Sequence, residues 1–220
     1  MTVKAILVAG GHGSRLRPFT RYTQKTLLPL HERPVIDYAL GTIRRAGIKD
    51  ITIISNQFVG QIARHVGQGL PGERIHYVIE EEPQGVAHAL NLARPYNEGS
   101  RLMVYFSDNI TTLEFGEHVA AFEAAEQPPG CLLIAREEPH PEACGIYMFD
   151  EDFWGRLDEA VAEHGDGFSI SNITRTYVKA GRASVLSVGE ETWVDCGTPD
   201  SLLQASQMAK DGKLDPNPHR

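Results

Sequence analysis

Short apolar runs alternate with amphipathic stretches along almost the whole chain, and this alternation is the strongest constraint on its fold. The apolar runs have the length of buried strands, and apolar residues recur at helical spacing between them. Strands are predicted over residues 3–8, 51–55, 75–79, 102–106, 131–136, 145–149 and 183–188. Helices are predicted over residues 35–46, 59–66, 85–93, 115–125, 153–163, 170–180 and 202–210. Strands separated by helices predict an α/β fold with a doubly wound, mainly parallel sheet.

Length and composition predict a single domain. The chain has 220 residues, of which 41% are hydrophobic, and this suits one globular unit with a large core. No internal repeat or linker divides the sequence, so one domain is expected over residues 1–210. Residues 211–220 are polar and contain two prolines, which predicts a flexible tail.

Charge and cysteine content exclude several classes of protein. A formal charge of −8 provides no broad basic surface for nucleic acid or an anionic membrane. No apolar stretch approaches the roughly 20 residues that span a bilayer, and the N-terminal segment lacks the features of a signal peptide. The three cysteines are widely spaced and form neither a disulfide framework nor a metal-ligand pattern, so a cytoplasmic protein is expected.

A glycine-rich loop follows the first predicted strand. Its glycines and the polar or cationic residues after them are Gly10, Gly11, Gly13, Ser14, Arg15 and Lys25. Glycines let the backbone approach a ligand closely, and exposed amides next to cations suit a polyphosphate. A tight turn with solvated cations is the alternative. The dinucleotide fingerprint fails at Leu16, where it needs a third glycine, and the P-loop fails because Lys25 lies far beyond the glycines.

The stretch over residues 9–30 resembles the signature G-G-x-G-[ST]-R-L-x-P-x-T-x4-K-x-L-x-P of sugar-1-phosphate nucleotidylyltransferases, a family that includes glucose-1-phosphate thymidylyltransferases. The resemblance implies a Rossmann-like single domain of the nucleotide-diphospho-sugar transferase type. It also implies Mg²⁺-dependent transfer of a nucleoside monophosphate from an NTP to a sugar 1-phosphate, with release of pyrophosphate. Residues 1–125 would form the NTP-binding half and residues 126–210 the acceptor-binding half. Members of the family often form dimers or tetramers, so a homo-oligomer is compatible with it.

The resemblance also implies which residues bind the substrates. Arg15, Lys25 and Asp108 would be catalytic, and the acceptor would contact Asn109, Glu137, Gly145 and Asp195. The nucleotide would be bound by Ala9, Gly10, Gly11, Gly13, Ser14, Glu80 and Gly85.

Two aspartates are the predicted Mg²⁺ ligands. Asp108 follows a predicted strand, and Asp195 lies in a Trp-x-Asp-x-Gly-Thr motif that matches the family at all four fixed positions. Magnesium is typically bound by one or two carboxylates together with phosphate oxygens and water. The alternatives are an Asp-Asn turn for Asp108 and a helix N-cap for Asp195.

Glu80 departs from the family pattern for the base. Thymidylyl- and uridylyltransferases usually carry glutamine at this position, and an amide can both donate and accept hydrogen bonds. An ionised carboxylate only accepts, so Glu80 favours bases with donor-rich edges such as cytosine or guanine. The resemblance itself favours dTTP or UTP, and the sequence leaves both classes open.

The segment after Arg136 is shorter than in the family. Relatives insert a strand pair that ends in Glu-Glu-Lys-Pro, whereas this chain has Arg136-Glu137-Glu138-Pro139 without the lysine. Glu137 and Arg136 are candidates for contacts with the acceptor. The shortening leaves three functions open, which are transfer to a sugar 1-phosphate, transfer to a non-sugar phosphate or phosphonate, and nucleotide binding without catalysis.

Overall fold

The computed structural model describes residues 1–82, 84–136, 142–165 and 168–217. Within these residues the chain forms eleven strands, which are β1 (Val3–Ala9), β2 (Pro29–Leu30), β3 (Arg33–Pro34), β4 (Asp50–Ser55), β5 (Arg74–Ile79), β6 (Arg101–Phe106), β7 (Asn109–Thr111), β8 (Cys131–Arg136), β9 (Glu142–Phe149), β10 (Ala183–Ser187) and β11 (Trp193–Asp195). The helices of the same residues are α1 (Val35–Arg45), α2 (Val59–Val66), α3 (Val86–Asn97), α4 (Gly116–Ala124), α5 (Phe153–His164), α6 (Ile170–Lys179) and α7 (Pro199–Lys210).

Seven strands form the central sheet in the order β10–β8–β9–β6–β1–β4–β5. All neighbouring pairs are parallel except those of β9, which runs antiparallel to both β6 and β8. The mainly parallel sheet is therefore confirmed, and the sequence predicted the strand β9 but not its antiparallel direction. The carboxyl ends of the six parallel strands lie along one edge of the sheet, where ligands bind in open α/β folds.

Helices cover both faces of this sheet. Alternating side chains of β1 point to opposite faces, with Ala5 and Leu7 in one buried cluster and Ile6 in the other. The first cluster includes residues of α1, α2 and α4, and the second includes residues of α3, α5 and α6. This arrangement confirms the predicted doubly wound, single-domain α/β fold.

Four short strands lie outside the central sheet and were missed by the sequence analysis. β2 pairs with β3, and β7 pairs with β11. Together with α7 they surround a third, smaller apolar cluster. α7 begins at Pro199, earlier than the predicted residue 202, because the Thr198 side chain accepts a hydrogen bond from the Ser201 amide and a proline suits the first helical position.

The three cysteines are free and buried. Burial raises the pKa of Cys131 to about 12 and that of Cys144 to about 11. Burial also raises the pKa of Cys196. All three therefore remain neutral thiols at pH 7 and are poor nucleophiles. No helix among the described residues is long and apolar enough to cross a membrane.

The first residues of the predicted flexible tail pack against α1. Leu214 is only 5% exposed, and the Arg45 guanidinium donates to the carbonyl oxygens of Asp215 and Asn217 at 3.1 and 2.9 Å. Gly41 makes this approach possible, because a Cβ there would lie 2.7 Å from the carbonyl oxygen of Pro216. The polar composition of residues 211–217 did not predict the burial of Leu214 or the hydrogen bonds from Arg45 to the backbone carbonyls.

Replacing Leu7 with alanine tests the central packing. Leu7 is 0% exposed on a central strand, so Leu7→Ala is expected to lower the free energy of unfolding by about 3 kcal/mol in a urea titration. Leu203→Ala is the matched control, because Leu203 is 73% exposed on α7, and a change within about 0.5 kcal/mol is expected there. Equal losses in both variants would contradict the assigned core.

Candidate active site

The glycine loop leaves β1 at the carboxyl edge of the sheet. Gly11 and Gly13 have φ values of +82° and +56°, in the left-handed region that favours glycine. A Cβ on Gly13 would also lie 2.8 Å from Cγ2 of Thr20. Among the described residues, the backbone N–H groups of residues 11–14 have no hydrogen-bond partner. The loop therefore presents unpaired amide donors, as an anion site requires.

Neighbouring side chains hold the carbonyl groups of this loop. The Ala9 carbonyl accepts hydrogen bonds from the side chains of Gln24 and Ser55, and the Gly11 carbonyl accepts one from Nδ2 of Asn56 at 3.1 Å. Thr20 Oγ1 donates to the Gly13 carbonyl at 2.7 Å. Gln24, Ser55 and Asn56 were missed by the sequence analysis. The only signal for Ser55 and Asn56 was their position at the end of a predicted strand.

Lys25 and Asp108 meet at the centre of the sheet edge. Lys25 begins a 3₁₀ turn after the glycine loop, and Asp108 lies in the turn between β6 and β7. Lys25 Nζ contacts Asp108 Oδ2, and the two side chains are only 18% and 14% exposed. The structure thus brings these two predicted catalytic residues into one ion pair beside the glycine loop.

Asp195 joins this pair through the ladder between β7 and β11. The ladder places Asp195 opposite Asn109, and the Cys196 amide donates to the Asp108 carbonyl at 2.8 Å. Burial and then the nearby Asp108 carboxylate raise the pKa of Asp195, while the Gly197 amide, Lys25 and Arg15 oppose this shift. The Oδ1 atom of Asp195 is buried and has no hydrogen-bond partner among the described residues.

Arg15 approaches the same carboxylate from the glycine loop. It lies in a 3₁₀ turn (Ser14–Leu16) that the buried side chain of Leu16 anchors. A Cβ on Gly197 would lie 2.6 Å from Nη2 of Arg15 and 2.8 Å from Oδ1 of Asp195. Gly197, a fixed position of the predicted motif, therefore leaves room for the guanidinium beside the carboxylate.

A cavity of about 280 Å³ runs along the sheet edge from the glycine loop to Glu80. Glu80 is 3% exposed, and its Oε1 accepts a hydrogen bond from the Gln84 amide at 3.3 Å. Gly85 precedes α3 with a φ of +100°. The cavity is lined by Val8, Gly10, Gly11, Lys25, Glu80, Gly85, Val86, Ala89, Phe106 and Asp108. Most residues predicted for the nucleotide therefore face one cavity.

Asn109 and Gly145 meet on the opposite side of Asp108. Asn109 Nδ2 donates to Asp108 Oδ1 at 3.3 Å, and a Cβ on Gly145 would lie 2.5 Å from this Nδ2 atom. The Trp193 indole donates to Asn109 Oδ1 and to the Cys144 carbonyl, both at 3.0 Å. Trp193 was predicted only as a motif residue, and its link to Asn109 was missed. The predicted contact residue Glu137 lies outside the described residues.

The two aspartates are the residues best suited to a metal ion. No group of three or more His, Cys, Asp or Glu side chains in residues 1–82, 84–136, 142–165 and 168–217 forms a complete metal site. Two neighbouring carboxylates, one with a buried and unpaired oxygen, fit a hard cation that takes its other ligands from phosphate and water. The donor set therefore suits Mg²⁺ bound together with a phosphorylated ligand.

The backbone of the glycine loop can be tested by Gly13→Ala. The positive φ and the contact with Thr20 are expected to lower the free energy of unfolding by about 1–3 kcal/mol in a urea titration. Gly60→Ala is the matched control, because Gly60 lies within α2 with no atom within 4 Å of its added Cβ. That variant is expected to be neutral or more stable by about 0.5–1 kcal/mol. A neutral Gly13→Ala would show that the loop has a different conformation.

Known proteins are similar to this chain in sequence and in fold. The relatives include the low-salt glycan biosynthesis nucleotidyltransferase Agl11 of Haloferax volcanii, which is 26% identical over 96% of this chain and 67% of its own length. A glucose-1-phosphate thymidylyltransferase of Neisseria meningitidis is 28% identical over 94% of this chain and 83% of its own length.

Solved structures of similar proteins have the same fold as this chain. A Bacillus anthracis structure, provisionally described as a glucose-1-phosphate thymidylyltransferase in complex with sucrose, has a TM-score of 0.84 and 27% identity, covering 96% of both chains. A UDP-glucose pyrophosphorylase complexed with UDP-glucose shares the fold, with a TM-score of 0.79, 17% identity and coverage of 96% of this chain and 100% of its own. The model of the nucleotidyl transferase family matches residues 4–156 and 135–212. The chain therefore belongs to the nucleotidyl transferase family.

Proposed function

We propose that the protein is a sugar-1-phosphate nucleotidylyltransferase that transfers a nucleoside monophosphate from an NTP and releases pyrophosphate. One observation carries this proposal: Lys25, Asp108 and Asp195 come from distant parts of the chain and meet between the glycine loop and Asn109. A two-substrate transfer needs such a group between two binding regions. The names of the relatives, including glucose-1-phosphate thymidylyltransferase, support the same reaction class.

The residues around the cavity suit the nucleoside triphosphate. The unpaired amides of residues 11–14 can donate to the phosphate oxygens, and Arg15 and Lys25 add positive charge. Val8, Val86 and Phe106 provide apolar surface for the nucleoside. The base would lie beside Glu80 and Gly85, at the end of the cavity farthest from Asp195.

The reaction needs positioning and charge neutralisation more than proton transfer. An oxygen of the acceptor phosphate attacks the α-phosphorus, a new P–O bond forms, and the bond to the β-phosphate oxygen breaks with release of pyrophosphate. The attacking oxygen is already anionic near pH 7, so no general base is required. Lys25 and Arg15 would stabilise the negative charge of the transferred phosphoryl group, which lowers the barrier without a covalent intermediate.

Mg²⁺ is the proposed cofactor, with Asp108 and Asp195 as its protein ligands. A bound Mg²⁺ neutralises phosphate charge and orients the phosphate groups. Asp195 contributes an unpaired carboxylate oxygen, and the hydrogen bond from Asn109 orients the Asp108 carboxylate. Lys25 pairs with the Asp108 carboxylate and so places a cation beside the proposed metal ligand.

The acceptor is proposed to bind beyond Asp108, near Asn109, Gly145 and Asp195. The alignment with the Neisseria relative spans 242 positions, more than the 220 residues of this chain, so it contains gaps in this chain. The two ranges matched by the family model overlap at residues 135–156, which supports the predicted shortening near Arg136. A smaller acceptor region also suits the second candidate function, which is transfer to a non-sugar phosphate or phosphonate.

The pyrophosphate-release reaction is expected to require both Mg²⁺ and Asp108. Wild-type protein is assayed with each NTP against a panel of sugar 1-phosphates and non-sugar phosphates, with Mg²⁺ or with EDTA. EDTA is expected to abolish turnover, and Asp108→Asn is expected to lower it by at least about 10²-fold because a charged ligand is lost.

Asp158→Asn serves as the control for this variant, because Asp158 is 57% exposed and pairs with Arg94 on the helical surface. Its activity is expected to match that of the wild type. Tight NTP binding without pyrophosphate release from any acceptor would instead favour the non-catalytic nucleotide-binding alternative.

The identity of the NTP is proposed to depend on Glu80. The buried Glu80 carboxylate is paired with no cation among the described residues, and only the Gln84 amide donates to it. Such a group is stabilised by donors on a bound base. Cytosine offers an amino group, and guanine offers an imino and an amino group, so CTP and GTP satisfy Glu80 better than dTTP or UTP.

Glu80→Gln tests this preference. The ratio of kcat/KM for CTP or GTP to that for dTTP or UTP is expected to fall by about tenfold, the value of one hydrogen bond of about 1.4 kcal/mol. Glu81→Gln is the control, because Glu81 is exposed beside it and should leave the ratio unchanged. An unchanged ratio in Glu80→Gln would show that Glu80 does not contact the base.

A further inference from the structure

We infer that Arg136 binds a second anionic group on the acceptor, at the end remote from the phosphate that attacks the NTP. This inference rests on the proposed function, because it assumes an acceptor phosphate near Asp108 and Asp195. The inferred acceptor carries a carboxylate or a second phosphate, and the names of the relatives mention neither group.

The order of the strands separates the two substrates along the sheet edge. Glu80 follows β5 at one side of the sheet, Asp108 follows β6, and Arg136 ends β8 on the other side of Asp108. Neighbouring strands are about 4.8 Å apart, so the ends of β6 and β8 are separated by about 10 Å. A nucleotide over β5, β4, β1 and β6 leaves the acceptor to extend from Asp108 towards β9 and β8.

Trp193 connects Arg136 with the centre of the site. The Arg136 guanidinium carbon lies 5.1 Å from the centre of the Trp193 ring, within the range of a cation–π contact. The indole N–H of Trp193 is held by Asn109 Oδ1 and the Cys144 carbonyl at 3.0 Å each. Asn109 also contacts Asp108. The contacts from Asp108 through Asn109 and Trp193 therefore fix the position of the Arg136 guanidinium relative to Asp108.

The hydrogen-bonding capacity of Arg136 is only partly used. Its Nη2 donates to Glu142 at 2.7 Å, and the two side chains are 41% and 53% exposed. Its Nε is buried, and neither Nε nor Nη1 makes a hydrogen bond to the described residues. A half-exposed ion pair contributes little to stability, so a bound anion can replace or join Glu142 without a large penalty. Guanidinium groups are well suited to carboxylate and phosphate.

The experiment compares acceptors that differ only at the remote end. The dissociation constants of glucose 1-phosphate, glucuronic acid 1-phosphate and glucose 1,6-bisphosphate are measured by calorimetry with wild-type protein, and turnover is measured in parallel with the NTP panel. Wild type is expected to bind at least one of the two acidic acceptors at least about tenfold more tightly than glucose 1-phosphate, as a charge-assisted hydrogen bond requires. The carboxylate and phosphate arms show which anion is preferred.

Variants assign the preference to Arg136. Arg136→Met is expected to reduce the affinity ratio between acidic and neutral acceptors to about one, and Arg136→Lys to retain part of it, because the charge remains. Arg175→Met is the matched control, since Arg175 is exposed on α6, and the wild-type ratio is expected there.

Two outcomes would overturn the inference: a ratio near one in wild type, including failure of all three acceptors to bind, or a ratio that survives Arg136→Met. Binding and turnover separate this inference from the proposed function. An Arg136-dependent preference in calorimetry without pyrophosphate release from any NTP would support the acceptor site and reject the proposed reaction.

Discussion

The short ladder between β7 and β11 joins the two halves of the candidate site. It contains only three residue pairs, yet it aligns Asp195 with Asn109 and lets the Cys196 amide donate to the Asp108 carbonyl. β7 follows directly from the central strand β6 and is therefore fixed relative to the sheet edge. Its pairing with β11 fixes the position of Asp195 relative to that edge. The apolar cluster around Leu30, Val194 and Ala205 packs behind this ladder and stabilises it.

The same ladder creates an electrostatic cost. Two carboxylates are held close together in a partly buried region, and the pKa of Asp195 rises because of burial and the charge of Asp108. Lys25 and Arg15 offset part of this cost, but Asp195 Oδ1 remains unpaired among the described residues. Active sites often retain unfavourable charge of this kind, because a ligand or metal ion compensates it on binding. A cation or other ligand that relieved the repulsion between the two carboxylates would therefore stabilise the folded protein.

The sequence was sufficient to predict the strands and helices whose apolar residues recur at regular spacing. Every strand of the central sheet and each α-helix was predicted, and most differences lie at their ends. α3 extends to Asn97, past the predicted end at residue 93, although it contains Pro95. Asn97 donates to Thr52 Oγ1 on β4 at 2.9 Å and to the Ala93 carbonyl at 2.8 Å. This tertiary contact of Asn97 outweighed the tendency of Pro95 to end the helix. The spacing of apolar residues in the sequence does not predict such a contact.

The site was less predictable than the fold, because its supporting contacts come from residues without a periodic signal. The meeting of Lys25, Asp108 and Asp195 could be expected from motifs at fixed spacing, although the ladder that positions Asp195 is too short to be recognised as strands. Contacts from Asn56 to the glycine loop and from Trp193 to Asn109 depend on the order of strands in the sheet. That order also separates Glu80 from Arg136, which lie on opposite sides of Asp108. The proposed contacts of Glu80 with the base and of Arg136 with the acceptor therefore lie on opposite sides of the Lys25–Asp108 ion pair, so a substitution at one residue would leave the other contact in place.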